Sequence, residues 1–121
     1  MTSAPRITSS TACFVLAGRV HSGEELVAAA RIVGDHNDYD VWQRRHADWI
    51  KETCEALVLV FGGPGSEDEF RQRASVSPQP DSWQQDLSLQ VEHSRSALDL
   101  VYSLLEKIES GQGVSSEAQR A

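Results

Sequence analysis

The chain has 121 residues, of which 40% are hydrophobic, and it carries a formal net charge of -7 at pH 7. This length fits one domain, and the apolar content with three tryptophans supports a core that needs no disulfide or metal. The negative charge disfavours binding to nucleic acid and to anionic lipid, because the only adjacent basic pair is Arg44-Arg45.

The cysteines and the apolar runs indicate a cytoplasmic protein. Cys13 and Cys54 are far apart and have apolar neighbours, which is typical of reduced, buried thiols. The run from Ala12 to Gly18 follows a single Arg and precedes no cleavage site of the usual form, so it is not expected to be a secretion signal. No segment approaches the roughly 18 apolar residues that a membrane span needs.

The N-terminal third contains patterns that indicate different local structures. Residues 1–10 show neither helical nor strand periodicity and are predicted to be a flexible tail before a helical domain at 11–110. Residues 11–21 fit a buried strand or a short helix, and helix is favoured because no second strand is available for pairing. Ser22-Gly23-Glu24-Glu25 has the spacing of a capping box, which predicts a helix beginning there and ending at Gly34.

The clearest helical pattern lies in the tryptophan-bearing segment after the polar loop at 35–38. Its inward positions recur every three or four residues: Trp42, His46, Trp49, Ile50, Thr53, Leu57 and Val60. The glycines and proline at 62–65 predict the end of this helix. The Ser-x-x-Glu pattern at 66–69 predicts a short helix that runs to about Ala74, with Phe70 directed inward.

The C-terminal third contains the second strong pattern. The prolines within 75–81 predict a linker, and a helix of about seven turns is predicted after it. Its seam consists of Leu87, Val91, Ser94, Leu98, Val101, Leu105 and Ile108. Leu100 and Leu104 lie off this seam and widen the apolar face beyond what one helix contact would bury. Residues 111–121 are polar and are predicted to be a disordered tail.

These elements predict an all-α protein. The expected architecture is a small bundle of four to five helices, in which the two long amphipathic helices pack antiparallel. No convincing pair of strands competes with this interpretation.

No segment matches a metal-binding or catalytic motif. Residues 35–46 fail the EF-hand pattern, since Tyr39, Asp40 and His46 occupy positions that need an oxygen ligand, glycine and glutamate. The four histidines and two cysteines show no zinc-binding spacing. Because His46 has no nucleophile or carboxylate at a recognisable spacing, an enzyme based on it is the least favoured function. We therefore predict no metal, no cofactor and no enzymatic activity.

The glycine-rich segment 61–66 leads into a helix, as phosphate-binding loops do. It lacks the Lys-Ser/Thr ending and the preceding strand of a P-loop. Glu67, Asp68 and Glu69 would also place their own negative charge at the positive end of the helix. A turn that ends one helix and begins the next is therefore the preferred interpretation.

The order of these motifs resembles that of helical modules in many uncharacterised bacterial proteins. The resemblance rests on the Gly-x-x-Leu sequence at 23–26, on the tryptophan-bearing segment 40–50, and on segments 59–62 and 66–70. It covers roughly residues 23–108, and the inserted Gly63-Pro64 departs from the tighter Phe-Gly-x-x-Ser pattern. Such modules occur alone or beside effector domains, including those of antiviral defence systems. The resemblance implies a role in association and brings no catalytic residues.

Two functions fit these observations. The first is protein–protein interaction, most simply as a homodimer. Its predicted surface lies on the last helix and consists of Leu98, Leu100, Val101, Leu104 and Leu105. The second is a small-ligand or nucleotide sensor with an interhelical pocket around Trp42, His46 and Trp49. Alternatively, both tryptophans anchor the core.

Overall fold

The computed structural model describes residues 7–75 and 82–110, which form four α-helices and a 3-10 turn. The elements are α1 (Ser9–Ala29), the turn (Ala30–Ile32), α2 (His36–Phe61), α3 (Pro64–Ala74) and α4 (Trp83–Glu109). These residues contain no strand, so the predicted all-α bundle is confirmed. Among them, no helix is both long and apolar enough to cross a membrane. Residues 1–6, 76–81 and 111–121, which hold most of the predicted tails and linker, lie outside the described residues.

Helix α1 is continuous, whereas the sequence predicted a separate helix beginning at Ser22. It begins within the predicted tail, where the side chain of Thr8 accepts a hydrogen bond from the N–H of Thr11 at 3.2 Å. A single buried stripe runs through the predicted break and consists of Ala12, Leu16, Val20, Gly23 and Leu26. The capping-box prediction was wrong because burial of this stripe outweighs a local capping signal.

The boundaries of α2 and α3 follow local backbone chemistry. The carboxylate of Asp35 accepts a hydrogen bond from the N–H of Asp38 at 2.8 Å and caps the start of α2. Gly62, with a φ of 79°, ends α2 in the left-handed conformation that glycine adopts readily. Helix α3 begins at Pro64, so the predicted capping role of Ser66 was wrong. Proline is favoured in the first turn because its fixed φ suits the helix.

Helix α1 packs antiparallel to α2. The indole N–H of Trp42 donates to the carbonyl oxygen of Leu26 at 2.8 Å. The indole N–H of Trp49 donates to the carbonyl oxygen of Arg19 at 2.9 Å. Residue numbers therefore rise along one helix as they fall along the other.

Helix α1 is also the antiparallel partner of α4, and this long pair has the most extensive contact in the fold. Tyr102 of α4 donates a hydrogen bond to Glu24 of α1, while Glu109 acts electrostatically on Cys13 near the start of α1. The two predicted long helices, α2 and α4, instead run in the same direction. Their hydrogen bonds join Tyr39 and His46 of α2, in that order, to Gln90 and Ser94 of α4.

Gly23 allows α1 to approach both neighbouring helices. A Cβ atom at this position would lie 2.5 Å from a ring carbon of Trp49 and 2.7 Å from a methyl carbon of Leu98. Both distances are far shorter than van der Waals contact, so only glycine fits without movement. Gly18, on the same helix, would place a Cβ with no atom within 4 Å.

Candidate association surface

Trp42 and Trp49 anchor the core. Both are buried, and each indole N–H has a backbone carbonyl of α1 as its acceptor. Trp49 also packs edge-on against Phe70, with ring centroids 5.4 Å apart. This environment agrees with the core-anchor alternative, because buried indoles need a partner for their one polar group.

The three residues of the predicted ligand pocket border three different depressions. Trp49 borders one of about 240 Å³ between α1 and α2. His46 borders one of about 250 Å³ among α2, α3 and α4. Trp42 borders a third of about 220 Å³, together with Ile32 and Val41. The three rings are neighbours within the core, with the His46 ring centroid 4.8 Å from that of Trp42 and 6.3 Å from that of Trp49, but each of these depressions is bordered by only one of them.

His46 is a buried, uncharged histidine. Its ring stacks on Trp42 with centroids 4.8 Å apart and planes 12° from parallel. Its Nε2 and the Oγ of Ser94 are hydrogen-bonded at 2.6 Å. Burial lowers the pKa of His46 from 6.5 to about 4, because desolvation disfavours the imidazolium. The side chain is therefore neutral at pH 7.

The Ser94–His46 pair has the hydroxyl and the imidazole of an activated serine nucleophile, but it lacks the surroundings that activation requires. A serine hydroxyl beside an imidazole can be activated when a third group orients the base and a substrate reaches the oxygen. Ser94 is only 1% exposed, and no carboxylate within the described residues is hydrogen-bonded to His46. In this arrangement the pair holds α2 to α4 and presents no nucleophile to solvent.

Polar side chains recur every seven residues along one face of α2. Tyr39 accepts a hydrogen bond from Gln90 at 2.8 Å and donates one to Asp86 at 3.4 Å. Seven residues further on, about two helical turns, His46 pairs with Ser94. The third polar residue is Thr53, which is fully buried and whose hydroxyl has no partner among the described residues.

Replacing Thr53 by Val is expected to raise the free energy of unfolding by about 1 kcal/mol, because an unpaired buried hydroxyl is costly and Val keeps its shape. Urea denaturation measures this change. Ser94→Ala is the contrasting variant and is expected to lower stability, since it removes the partner of His46. A less stable Thr53→Val protein would show that the hydroxyl has a partner.

The leucine-rich surface predicted on the last helix is not a free surface. The side chains of Leu98, Leu100, Val101 and Leu105 are buried, and Leu104 is partly buried against the same core. Helices α1 and α3 both pack on α4 and cover them. This interface prediction was wrong because these side chains form the core contacts of α4 within a single chain.

Exposed aliphatic side chains occur instead where α1 ends and α2 begins. Ile32 is 82% exposed and Val41 is 55% exposed. They line the depression of about 220 Å³ bordered by Trp42. We define the corner groove as the residues that line it, namely Ala29, Ile32, Val33, Asp38, Val41, Trp42 and Arg45. Sequence reasoning missed it, although Ile32 and Val41 lie off the inward stripes of both helices.

The rim of the corner groove carries one acidic and one basic side chain. The carboxylate of Asp38 accepts a hydrogen bond from the N–H of Gly34 at 3.2 Å. Arg45 is exposed and forms no ion pair within residues 7–75 and 82–110. The groove thus combines an apolar centre with both signs of charge at its edge.

No group of three or more potential metal ligands occurs within the described part of the chain. Comparison of the chain with protein-family models, with curated proteins and with solved structures finds no match. Functional assignment therefore depends on the geometry of the chain itself.

Proposed function

We propose that the chain is a non-catalytic self-association module that forms a homodimer through the corner groove. The supporting observation is the exposure of Ile32 and Val41, which line a groove that the buried Trp42 also borders. Burying an aliphatic side chain of this size is worth about 1.5–3 kcal/mol. Contact with a complementary apolar surface would therefore stabilise the complex.

A second copy suits this surface because of its charges. Asp38 and Arg45 provide opposite signs on one rim, so two copies can offer each other complementary charges. The whole chain carries a net charge of -7, which repels a second copy at long range. At physiological ionic strength this repulsion is screened beyond about 8 Å, whereas adjacent charges still interact.

The association is expected to be weak and reversible. The exposed apolar side chains of the groove are few, and interfaces below about 1,200 Å² belong to the class of transient complexes. We expect a dissociation constant in the micromolar range or weaker. The resemblance to bacterial modules beside effector domains agrees with such a role, and a defence or regulatory context is part of this proposal.

A small-ligand sensor has less support. The residues expected to form its pocket are packed into the core and border three different depressions. Specific ligand sites are usually single concave pockets with converging polar groups. The corner groove is instead lined mostly by apolar side chains from the end of α1, the segment after it and the start of α2.

Ile32→Glu is expected to abolish concentration-dependent dimerisation, because it places an unpaired charge at the centre of the apolar contact. Leu59→Glu is the matched control, since Leu59 is an isomer of Ile32, is 54% exposed and lies outside the groove. Light scattering at physiological salt, over a roughly hundredfold concentration range, measures the molecular mass. Circular dichroism verifies that both variants are folded.

The expected result is a mass that rises with concentration for the wild type and for Leu59→Glu, but remains that of a monomer for Ile32→Glu. A wild type that stays monomeric throughout would contradict the proposal. Equal dimerisation of the wild type and Ile32→Glu would also contradict it.

A further inference from the structure

The order of the charged residues Asp38 and Arg45 along α2 favours one relative orientation of two associated copies. Asp38, Val41 and Arg45 are separated by three and four residues, so they lie on one stripe of α2. Seven residues of α-helix advance by about 10 Å. The acidic and basic side chains therefore lie about one helical turn on either side of the exposed Val41.

A two-fold axis that passes through Val41 perpendicular to α2 would relate the two copies so that their α2 helices run antiparallel. Asp38 of each copy would then face Arg45 of the other. If the two α2 helices ran parallel, Asp38 would face Asp38 and Arg45 would face Arg45, and both contacts would be repulsive. The charge order on the stripe therefore selects the antiparallel arrangement.

We infer that two copies associate with their α2 helices antiparallel about a two-fold axis at Val41. Two reciprocal Asp38–Arg45 ion pairs flank a central apolar contact made by Ile32 and Val41. This inference rests on the proposed self-association and adds its symmetry and pairing. It also limits the partner to a surface with the same charge order, which a second copy supplies.

The side chains on the rim can make these bonds. Arg45 is exposed and has no ion-pair partner in the described part of the chain. Asp38 already accepts one hydrogen bond, from Gly34, but a carboxylate has about four acceptor positions. A guanidinium from the second copy can therefore bond to Asp38 without displacing the cap.

Charge reversal tests this pairing. Arg45→Asp and Asp38→Arg are each expected to weaken dimerisation roughly tenfold, because both reciprocal pairs become repulsive. The double variant D38R/R45D restores opposite charges and is expected to recover the wild-type dissociation constant to within about threefold. Sedimentation equilibrium measures these constants, and circular dichroism verifies folding.

Lys51→Asp is the matched control, because it makes the same charge change as Arg45→Asp at an exposed position six residues further along α2 and about 120° around the helix from Arg45. It is expected to leave the dissociation constant nearly unchanged. Asp38→Asn serves if Asp38→Arg does not fold, and it is expected to weaken the dimer severalfold by removing one charge from each pair.

The outcomes separate this inference from the proposed function. If Ile32→Glu abolishes the dimer but the double reversal fails to recover it, the antiparallel pairing is wrong and self-association at the groove stands. If Arg45→Asp and Asp38→Arg change the dissociation constant as little as Lys51→Asp does, the antiparallel pairing is also wrong. If Ile32→Glu leaves the dimer intact, both the surface and the pairing are wrong.

Discussion

Lowering the pH from 6.5 to 4 is expected to reduce the free energy of unfolding by about 3 kcal/mol through His46 alone. Burial lowers the pKa of this side chain from 6.5 to about 4 in the folded chain. In this range the unfolded chain binds the proton and the folded chain does not, so acid favours unfolding. The contribution to stability is complete above pH 6.5 and is lost by about pH 4.

His46→Gln isolates this effect, because glutamine can hydrogen-bond to Ser94 but does not titrate. Carboxylates titrate in both proteins. Their contribution therefore cancels when the free energies of unfolding of the two proteins, measured by urea denaturation at each pH, are subtracted. The variant is expected to lose about 3 kcal/mol less than the wild type between pH 6.5 and pH 4. Equal losses would contradict the burial of a neutral imidazole between α2 and α4.

Gly23→Ala is expected to destabilise the chain by about 2 kcal/mol, although alanine favours helix by about 1 kcal/mol over glycine. The added Cβ would meet the indole of Trp49 at 2.5 Å and the side chain of Leu98 at 2.7 Å. The indole has little freedom to move, since its N–H is bonded to the carbonyl of Arg19. Urea denaturation measures the loss.

Gly18→Ala provides the matched control on the same helix. Nothing lies within 4 Å of the Cβ that it would add, so only the helix propensity changes. We expect a gain of about 0.5–1 kcal/mol for this variant. A similar gain for Gly23→Ala would show that α1 does not approach α2 and α4 as closely as described.

The patterns that predicted the fold correctly are periodic and local. The inward stripe of α2 spans many turns, and its end at Gly62 follows from the left-handed conformation of that residue. The continuity of α1 could not be predicted in the same way. Ser22-Gly23 looks locally like the start of a helix, but Gly23 is required by contacts with Trp49 and Leu98, which are distant in sequence.

The position of the association surface also depends on contacts between residues that are distant in sequence. Leu100 was assigned to an association surface because the continuity of α1, which packs on α4, was not predicted. Ile32 and Val41 were visible as residues outside the inward stripes, but their position beside one groove depends on where α1 ends and α2 begins. The amino-acid pattern therefore predicts α2 and α4, whereas the exposure of Ile32 and Val41 depends on the positions at which helices end and begin.

The most direct test of self-association at the corner groove is a series of amide NMR spectra recorded at increasing protein concentration. The resonances of Ile32, Val41 and Arg45 are expected to shift with concentration, while those of Phe14 and Leu59, which are exposed elsewhere, stay fixed. Spectra without concentration dependence would contradict the proposal. Shifts confined to the surroundings of Phe14 and Leu59 would contradict the choice of surface.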